Sequence, residues 1–385
     1  MPLFAPHLPS GTIIATAAAV IAAVRFLRPH LPSLRLLHPS VKHNSKMDLP
    51  FPGGASGDSW PPFLVICCKS FKENALAQSL QSKMETLKLQ DEEEIKILLH
   101  SEMDSDAPLT FKPQLYMEAL SARHIGRLLM WSPRLPSTHD LVSQNFAELP
   151  VGTVCVTDIQ FKGRGRSKNV WDSPVGCLLF SFTLEMEDGR KLPLLQYVVS
   201  LAVTEAIKEA CQAKGLPKID IRIKWPNDLY LNNLKVGGIL CTSTYRSKKF
   251  NVCAGIGLNL DNEMPTTCLN AVLKEISSSS CQLSREDILA AFLNKFEELF
   301  EVLLNQGFQS LEELYYKTWL HSGQRVVIEE KLEGQSVEGT EVTIQGLTST
   351  GYLLATDEDN NHYELHPDGN SFDFFKGLVR RKLDY

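Results

Sequence analysis

The stretch VGTVCVTDIQFKGRGRSKNVWDSPVGCLLFSFTLEM, residues 151–186, places a charged, glycine-rich segment between two apolar ones. Its two ends, 151–160 and 175–186, are rich in Val, Cys, Phe and Leu, which predicts two buried strands. Between them, GRGRSKNVW (163–171) concentrates cations, glycines and a tryptophan. A charged loop held by two buried strands is typical of a binding site on a rigid frame. Taken alone, the motif also fits a solvated loop or a weak RNA-binding patch.

Composition and charge narrow the classes of function. The 385 residues are enough for two or three domains, and 43% hydrophobic with 22% charged residues is typical of globular proteins. A net charge of −6 argues against nucleic acid or an anionic membrane as a partner. The nine cysteines form no CxxC pair and no Cys/His ligand spacing. We therefore expect reduced thiols and no tightly bound protein metal.

The N-terminus differs from the rest of the chain. Residues 1–47 contain arginines and lysines but no Asp or Glu. The apolar segment 11–27 is short for a bilayer span, which needs about 20 residues, so we expect no stable membrane insertion; a signal anchor is the alternative. The acid-free leader predicts a transit peptide for a chloroplast or mitochondrion. Initiation at Met47 would give a cytosolic form.

Composition shifts along the chain predict three further regions. Residues 48–126 are interpreted as a linker and N-terminal extension, with a strand at 63–68 and an acidic helical stretch at 89–100. Residues 127–320 predict an α/β (α+β) unit. From 321 to 385, short alternating strands separated by turns predict a small SH3-like β-barrel, which we interpret as an accessory domain because it carries no cluster of reactive side chains.

Within the α/β unit, hydrophobic periodicity and capping residues predict individual elements. Strands are predicted at 127–135, 151–160, 175–186 and 249–260, and helices at 137–146, 193–215, 286–307 and 310–320. Residues 219–246 predict a strand, a WPND turn and a hairpin that turns at Asn232 and Asn233. Ser137 or Thr138 and, further along, Ser284 are the predicted N-caps.

Three separated stretches carry the residues with binding chemistry: GRGRSKNVW (163–171), KWPNDLYLNNLKVGGIL (224–240) and AGIGLN (254–259). Each combines glycines with polar side chains at a strand end or hairpin. Arginine binds carboxylate and phosphate with a planar fork, lysine adds a compact charge, and Trp171 offers a flat face to an adenine. Individually these residues have simpler interpretations, such as a core tryptophan, a turn and a surface lysine. AGIGLN also lacks the pattern of a Rossmann dinucleotide site.

Together with STHD (137–140) and Gln160, these stretches in this order resemble biotin–protein ligases over residues 127–385. The form GRGRSKNVW with a transit-like leader is similar to the plant holocarboxylase synthetases. The resemblance implies a class II synthetase-like catalytic domain with a mixed sheet. It also implies the reaction: ATP with Mg²⁺ activates biotin as biotinyl-5′-AMP, and biotin is then transferred to a lysine in acceptor domains of carboxylases, such as acetyl-CoA carboxylase.

The same resemblance assigns site residues position by position. The implied biotin-side residues are Ser137, Thr138, His139, Gln160, Arg164, Gly165, Arg166 and Lys235; the implied ATP-side residues are Arg166, Trp171, Asn227 and Asn259; and the implied catalytic residues are Lys235, Arg166 and Lys224. Bacterial members have Asn at the position of His139. They also have basic residues at the positions of Asn169 and Val170, so phosphate neutralisation would fall here to Lys168 or Lys224.

Three other functions remain as alternatives. A lipoate–protein ligase would share the fold and the adenylate chemistry, and an inactive biotin-binding protein would share the cavity. A biotin-responsive DNA-binding regulator would need a recognition helix, yet residues 63–130 are not basic and show no clear one. Pyrophosphate exchange that depends on biotin but not on lipoate separates these possibilities.

Overall fold

The computed structural model describes residues 63–82, 87–88, 96–103, 109–166, 169–262, 264–330, 338–368 and 370–381. The transit-peptide prediction for residues 1–47 and the prediction for Lys168 lie outside these ranges. The strands are β1 Phe63–Cys68, β2 Lys96–Leu99, β3 Leu128–Leu135, β4 Val154–Gln160, β5 Cys177–Met186, β6 Arg222–Lys224, β7 Asp228–Leu231, β8 Leu234–Arg246, β9 Lys249–Asn259, β10 Arg325–Glu330, β11 Glu338–Leu347, β12 Leu353–Thr356, β13 His362–Leu365, β14 Asn370–Asp373 and β15 Leu378–Arg381. The helices are α1 Phe71–Ser82, α2 Pro113–Ala119, α3 Thr138–Gln144, α4 Leu195–Ala213, α5 Leu269–Ile276, α6 Arg285–Gln306 and α7 Gln309–Thr318.

Nine strands form a mixed sheet in the order β2-β1-β3-β4-β5-β9-β8-β7-β6. The predicted strands of the α/β unit are confirmed, and β5 pairs with β9, which pairs with β8. These pairings place the loop after β4, the glycine-rich end of β9 and the start of β8 side by side. The three stretches that carry binding chemistry therefore meet on one part of the sheet.

The region predicted as an N-terminal extension contributes to the same sheet. β1 pairs parallel to β2 and antiparallel to β3. The helical interpretation of residues 89–100 is wrong for Lys96–Leu99, which form β2. Ile97, Leu98 and Leu99 are all buried, and a continuous apolar run of this kind favours a parallel strand over an amphipathic helix.

Helices cover the central strands, and two of the predicted caps are visible. The Ser137 hydroxyl accepts the Asp140 N–H at 3.2 Å, so Ser137 rather than Thr138 caps α3. The Ser284 hydroxyl accepts the Asp287 N–H at 3.1 Å and caps α6. Phenylalanines on α6 pack edge-on against those of β5, with ring centroids 5.0–5.7 Å apart. This core makes β5 the rigid strand on which the site is built.

The predicted small C-terminal β-domain is confirmed as a second, six-stranded sheet in the order β13-β12-β11-β10-β15-β14. It is joined to the first sheet through buried polar contacts: Tyr197 of α4 donates to the Gly351 carbonyl, and the Trp225 indole N–H donates to Tyr197. In the part of the chain that the structure describes, no helix is long and apolar enough to cross a membrane.

Candidate active site

A cavity of about 290 Å³ brings together most of the residues assigned from the sequence. The assigned residues that line it are Ser137, Thr138, His139, Gln160, Arg164, Gly165, Arg166, Trp171, Lys224, Asn227 and Lys235. Asn259 is the exception, since it is buried outside this lining and its amide donates to Thr266 Oγ1 and the Thr267 carbonyl. Its contact with ATP therefore stays a prediction.

The loop between β4 and β5 is a small hairpin. The Trp171 N–H donates to the Gly163 carbonyl at 3.0 Å, and the Gly165 N–H donates to the Asn169 carbonyl at 2.8 Å. A Cβ at Gly163 would lie 2.5 Å from the Trp171 carbonyl oxygen, whereas a Cβ at Gly165 would make ordinary contacts at 3.4 Å. Glycine is therefore required at the base of the hairpin, where two backbone segments touch.

Each arginine of the hairpin contacts a carboxylate to which the sequence analysis gave no role. Arg164 Nε lies 3.0 Å from Asp140 Oδ2, and Arg166 Nη2 lies 2.5 Å from Asp368 Oδ1. Arg166 also donates from Nη1 to Asn227 Oδ1 at 3.2 Å. The two guanidinium groups are thus fixed over the cavity by α3 on one side and by the C-terminal sheet on the other.

Trp171 lies on the backbone of two neighbouring strands. Gly238 of β8 pairs with Gly257 of β9, and a Cβ at Gly257 would lie 2.6 Å from the Trp171 indole nitrogen. A Cβ at Gly238 would lie 3.2 Å from the same ring. The two glycines thus form a flat seat for the indole. The Lys235 ammonium lies 5.3 Å from the ring centroid, within the range of a cation–π contact.

A β-bulge sets the direction of Lys235. Asp228 pairs with Gly238, but Tyr230 pairs with Lys235, so β8 has one more residue than β7 in this interval. Because side chains alternate along a strand, the extra residue places Lys235 on the same face as Asp228. The Lys235 ammonium lies 2.7 Å from Asp228 Oδ1 on that face.

Lys224 is the most enclosed lysine of the cavity. Its side chain is 16% exposed, and its ammonium lies 4.0 Å from Asp228 Oδ2. Burial lowers the pKa of Lys224, and the nearby Lys235 ammonium adds to this effect while Asp228 opposes it. Two lysines therefore share one carboxylate at this end of the cavity, which makes it attractive to a further anion.

Apart from the Arg164–Asp140 ion pair beside it, the opposite end of the cavity is lined by uncharged polar side chains. The Thr138 N–H and hydroxyl both donate to Gln160 Oε1, at 2.8 and 3.1 Å, and the hydroxyls of Thr138 and Ser181 are 2.9 Å apart. His139 Nε2 lies 2.9 Å from Thr242 Oγ1. Burial lowers the pKa of His139 to about 4, and the Arg164 guanidinium adds to this shift. A neutral imidazole beside hydroxyls and an amide suits a ligand that both donates and accepts hydrogen bonds.

A buried histidine supports the strand that carries Lys224. The Trp225 N–H donates to His321 Nε2 at 2.9 Å, and His321 Nδ1 lies 3.0 Å from Gln324 Oε1. Because Nε2 accepts a hydrogen bond, the neutral ring carries its hydrogen on Nδ1, which donates a hydrogen bond to Gln324 Oε1. Burial lowers the pKa of His321 to about 4, so the ring is neutral near pH 7.

The C-terminal sheet is part of the cavity, which corrects its interpretation as an accessory domain. Pro367, Asn370, Ser371 and Phe372 line the cavity, and Asp368 binds Arg166. Asp368 and Arg166 are 202 residues apart in sequence. No local pattern in the sequence signals a contact over that separation. Asp228 lies within the WPND motif, which was interpreted only as a turn.

The cavity therefore has a neutral end and a cationic end, which suits a ligand with a hydrogen-bonding head and an anionic tail. Arginine and lysine side chains at the cationic end favour carboxylate and phosphate groups. Among the described residues, no group of three His, Cys, Asp or Glu side chains is arranged to hold a metal ion.

Known proteins are similar to this chain in sequence and in domain organisation. The model of the biotin/lipoate A/B protein ligase family matches residues 131–259, and that of the biotin protein ligase C-terminal domain matches residues 321–377. The chain is 60% identical over 357 residues to the chloroplastic biotin–protein ligase 1 of Arabidopsis thaliana, which covers 92% of this chain and 96% of that protein. It is 63% identical over 323 residues to biotin–protein ligase 2 of the same plant, covering 83% and 98%. It is 33% identical over 283 residues to the human biotin–protein ligase, covering 71% of this chain and 38% of the human protein. The chain therefore belongs to the biotin–protein ligase family.

Proposed function

We propose that this protein is an ATP-dependent biotin–protein ligase, in accordance with the names of its relatives. The observation that carries the proposal is that one cavity has both a neutral polar end and a cationic end. Biotin has a ureido ring that donates and accepts hydrogen bonds, and a carboxylate on a chain. The neutral end around Thr138, Gln160 and Ser181 would hold the ring, and the carboxylate would reach Lys235 and Arg166.

In the first step, the biotin carboxylate attacks the α-phosphate of ATP, forming biotinyl-5′-AMP and releasing pyrophosphate. Two anions approach each other in this step, so cations that stabilise the growing charge lower the barrier. Arg166, Lys224 and Lys235, which line the cavity, would supply these cations. Mg²⁺ would enter with ATP as the metal of the substrate, held mainly by phosphate oxygens. Trp171 would stack on the adenine.

In the second step, the neutral amine of an acceptor lysine attacks the carbonyl of the mixed anhydride. An amide bond forms, AMP leaves, and the amine loses a proton. The hairpin 163–171 would limit the access of water to the adenylate until the acceptor arrives. We propose acceptor domains of carboxylases as the partners. A lipoate–protein ligase is not favoured, because the relatives above are named as biotin–protein ligases.

We also propose that residues 1–47 direct the protein into the chloroplast. One relative of 60% identity is named as chloroplastic, and the leader lacks acidic residues. Import into mitochondria and a cytosolic form initiated at Met47 are the alternatives, which organelle-specific import of a leader fusion separates.

Biotin-dependent exchange of labelled pyrophosphate into ATP tests the function directly. The wild type should catalyse exchange with biotin but not with lipoate, and should biotinylate a purified carboxylase acceptor domain. Exchange with lipoate alone would contradict the proposal, as would biotin binding without exchange.

A further inference from the structure

Asp140 holds the first arginine of the hairpin from inside the protein. Its carboxylate lies 3.0 Å from Arg164 Nε, and its side chain is only 7% exposed while that of Arg164 is 56% exposed. Asp140 belongs to the first turn of α3, directly after Ser137, Thr138 and His139. The sequence motif STHD contains it, yet none of the chemistry described above uses it.

The geometry fixes Asp140 and leaves Arg164 as the movable partner. The Asp140 N–H is bonded to the Ser137 hydroxyl, and the flanking residues His139 and Leu141 are buried. A buried carboxylate loses its hydration, and a guanidinium at hydrogen-bond distance compensates for this loss. Without the carboxylate, the half-exposed Arg164 side chain would be free to leave the cavity for water.

The contact also acts on the hairpin as a whole. Arg164 pairs with Val170 across the hairpin, and the hydrogen bond from the Trp171 N–H to the Gly163 carbonyl closes its base. Fixing Arg164 therefore fixes one strand of the hairpin relative to α3. By contrast, the second arginine is held by Asp368, whose side chain is 69% exposed and exchanges readily with water or another anion.

We propose that Asp140 is a positioning residue that holds Arg164 over the neutral, biotin-side end of the cavity and links the hairpin to the N-terminus of α3. The proposal rests on the proposed function. It requires that the loss of Asp140 act on biotin through Arg164, with little effect on ATP.

A double-mutant cycle tests this coupling. Asp140→Asn keeps the shape and removes the charge, and Arg164→Gln removes the partner. Each single variant should raise the KM for biotin about tenfold in pyrophosphate exchange, with the KM for ATP within twofold of wild type. The double variant should be no worse than Arg164→Gln. Asp188→Asn, which breaks an exposed ion pair with Arg190 outside the cavity lining, is the matched control and should behave as wild type.

The outcomes separate the inference from the proposed function. If Asp140→Asn leaves the KM for biotin unchanged, or if the two single effects multiply in the double variant, the positioning role is wrong although the ligase activity stands. If the wild type shows no biotin-dependent exchange, the function itself is wrong.

A measurement on the wild type covers the case in which Asp140→Asn does not fold. The Arg164 Nε–H should give a separate, slowly exchanging resonance in a ¹⁵N-correlated spectrum, identified by its loss in Arg164→Lys. Rapid exchange of that proton with water would overturn the anchoring contact.

Discussion

Replacing Gly257 with alanine tests whether ATP and biotin bind at different ends of the cavity. Gly257 lies in the extended backbone of β9, between β5 and β8, so alanine fits the backbone. Its Cβ would lie 2.6 and 2.7 Å from two atoms of the Trp171 ring, distances that side chains do not tolerate. Because β9 is hydrogen-bonded to β5 on one side and to β8 on the other, the indole of Trp171 has to move rather than the strand. The substitution therefore displaces one aromatic ring and replaces none of the charged residues of the cavity.

The magnitude follows from the role proposed for the ring. Stacking between a base and an aromatic side chain contributes about 1–3 kcal/mol, which corresponds to roughly 5- to 150-fold in Kd. We expect Gly257→Ala to weaken ATP binding by that factor and to leave biotin binding within about twofold. The protein should remain folded, because exchanging glycine for alanine in extended backbone costs no conformational strain.

Calorimetric titration with ATP and, separately, with biotin measures the two effects. Gly255→Ala is the matched variant, two residues earlier on the same face of β9, where a Cβ would lie 2.9 Å from His139 Nδ1 and 3.0 Å from Ser181 Oγ. It should weaken biotin rather than ATP. If Gly257→Ala weakens biotin instead of ATP, or has the same effect in a Trp171→Phe background as in the wild type, the assignment of the two ends is wrong.

Four further outcomes are expected. Arg166→Ala should slow adenylation by about 10- to 150-fold, the effect of losing one charge-assisted contact, and should release biotinyl-AMP into solution. Retention of biotinyl-AMP equal to that of the wild type in a rapid-filtration assay would contradict this. Lys235→Gln should lower kcat for pyrophosphate exchange more than it weakens biotin binding by calorimetry, because its charge is needed as the anhydride forms; exchange within twofold of wild type would transfer the role to Lys224. The free energy of unfolding in urea should fall as the pH drops from about 6.5 towards 4, because the unfolded chain gains protons that the buried His139 and His321 do not. His321→Gln should reduce this slope, and an unchanged slope would show that other groups control it. A fluorescent reporter fused to residues 1–60 should enter the chloroplast, and purely cytosolic fluorescence would refute the leader.

Local physics made much of the fold predictable from the sequence. The strands around the hairpin could be predicted because residues 154–160 and 177–186 are rich in Val, Cys, Phe and Leu, as strands at the centre of a covered sheet are. Ser284 as a cap was visible because its partner, Asp287, lies three residues away. The same reasoning failed for Lys96–Leu99, where an acidic run precedes a short apolar one and the pairing partner is β1. Neighbouring strands, rather than the segment itself, decided that outcome.

The site was predictable as a set of residue types but not as a set of contacts. Lys235 faces the cavity only because β8 contains a bulge, and the bulge depends on pairing with β7. The roles of Gly238 and Gly257 depend on Trp171, which comes from a different part of the chain. Motifs mark which side chains are used, whereas the pairing of strands decides where they point.

The charges of the cavity show why its carboxylates matter as much as its cations. Arg164, Arg166 and Lys235 each contact a carboxylate, which reduces the repulsion between these cations. An incoming phosphate has to compete with these carboxylates, and the cost of the exchange depends on burial. Asp368 is mostly exposed and returns to water at little cost, whereas Asp140 is buried and would lose its contact with Arg164 without regaining hydration. We therefore expect Arg166 to exchange its partner for phosphate, and Arg164 to stay with Asp140 at the end proposed to hold the neutral ring.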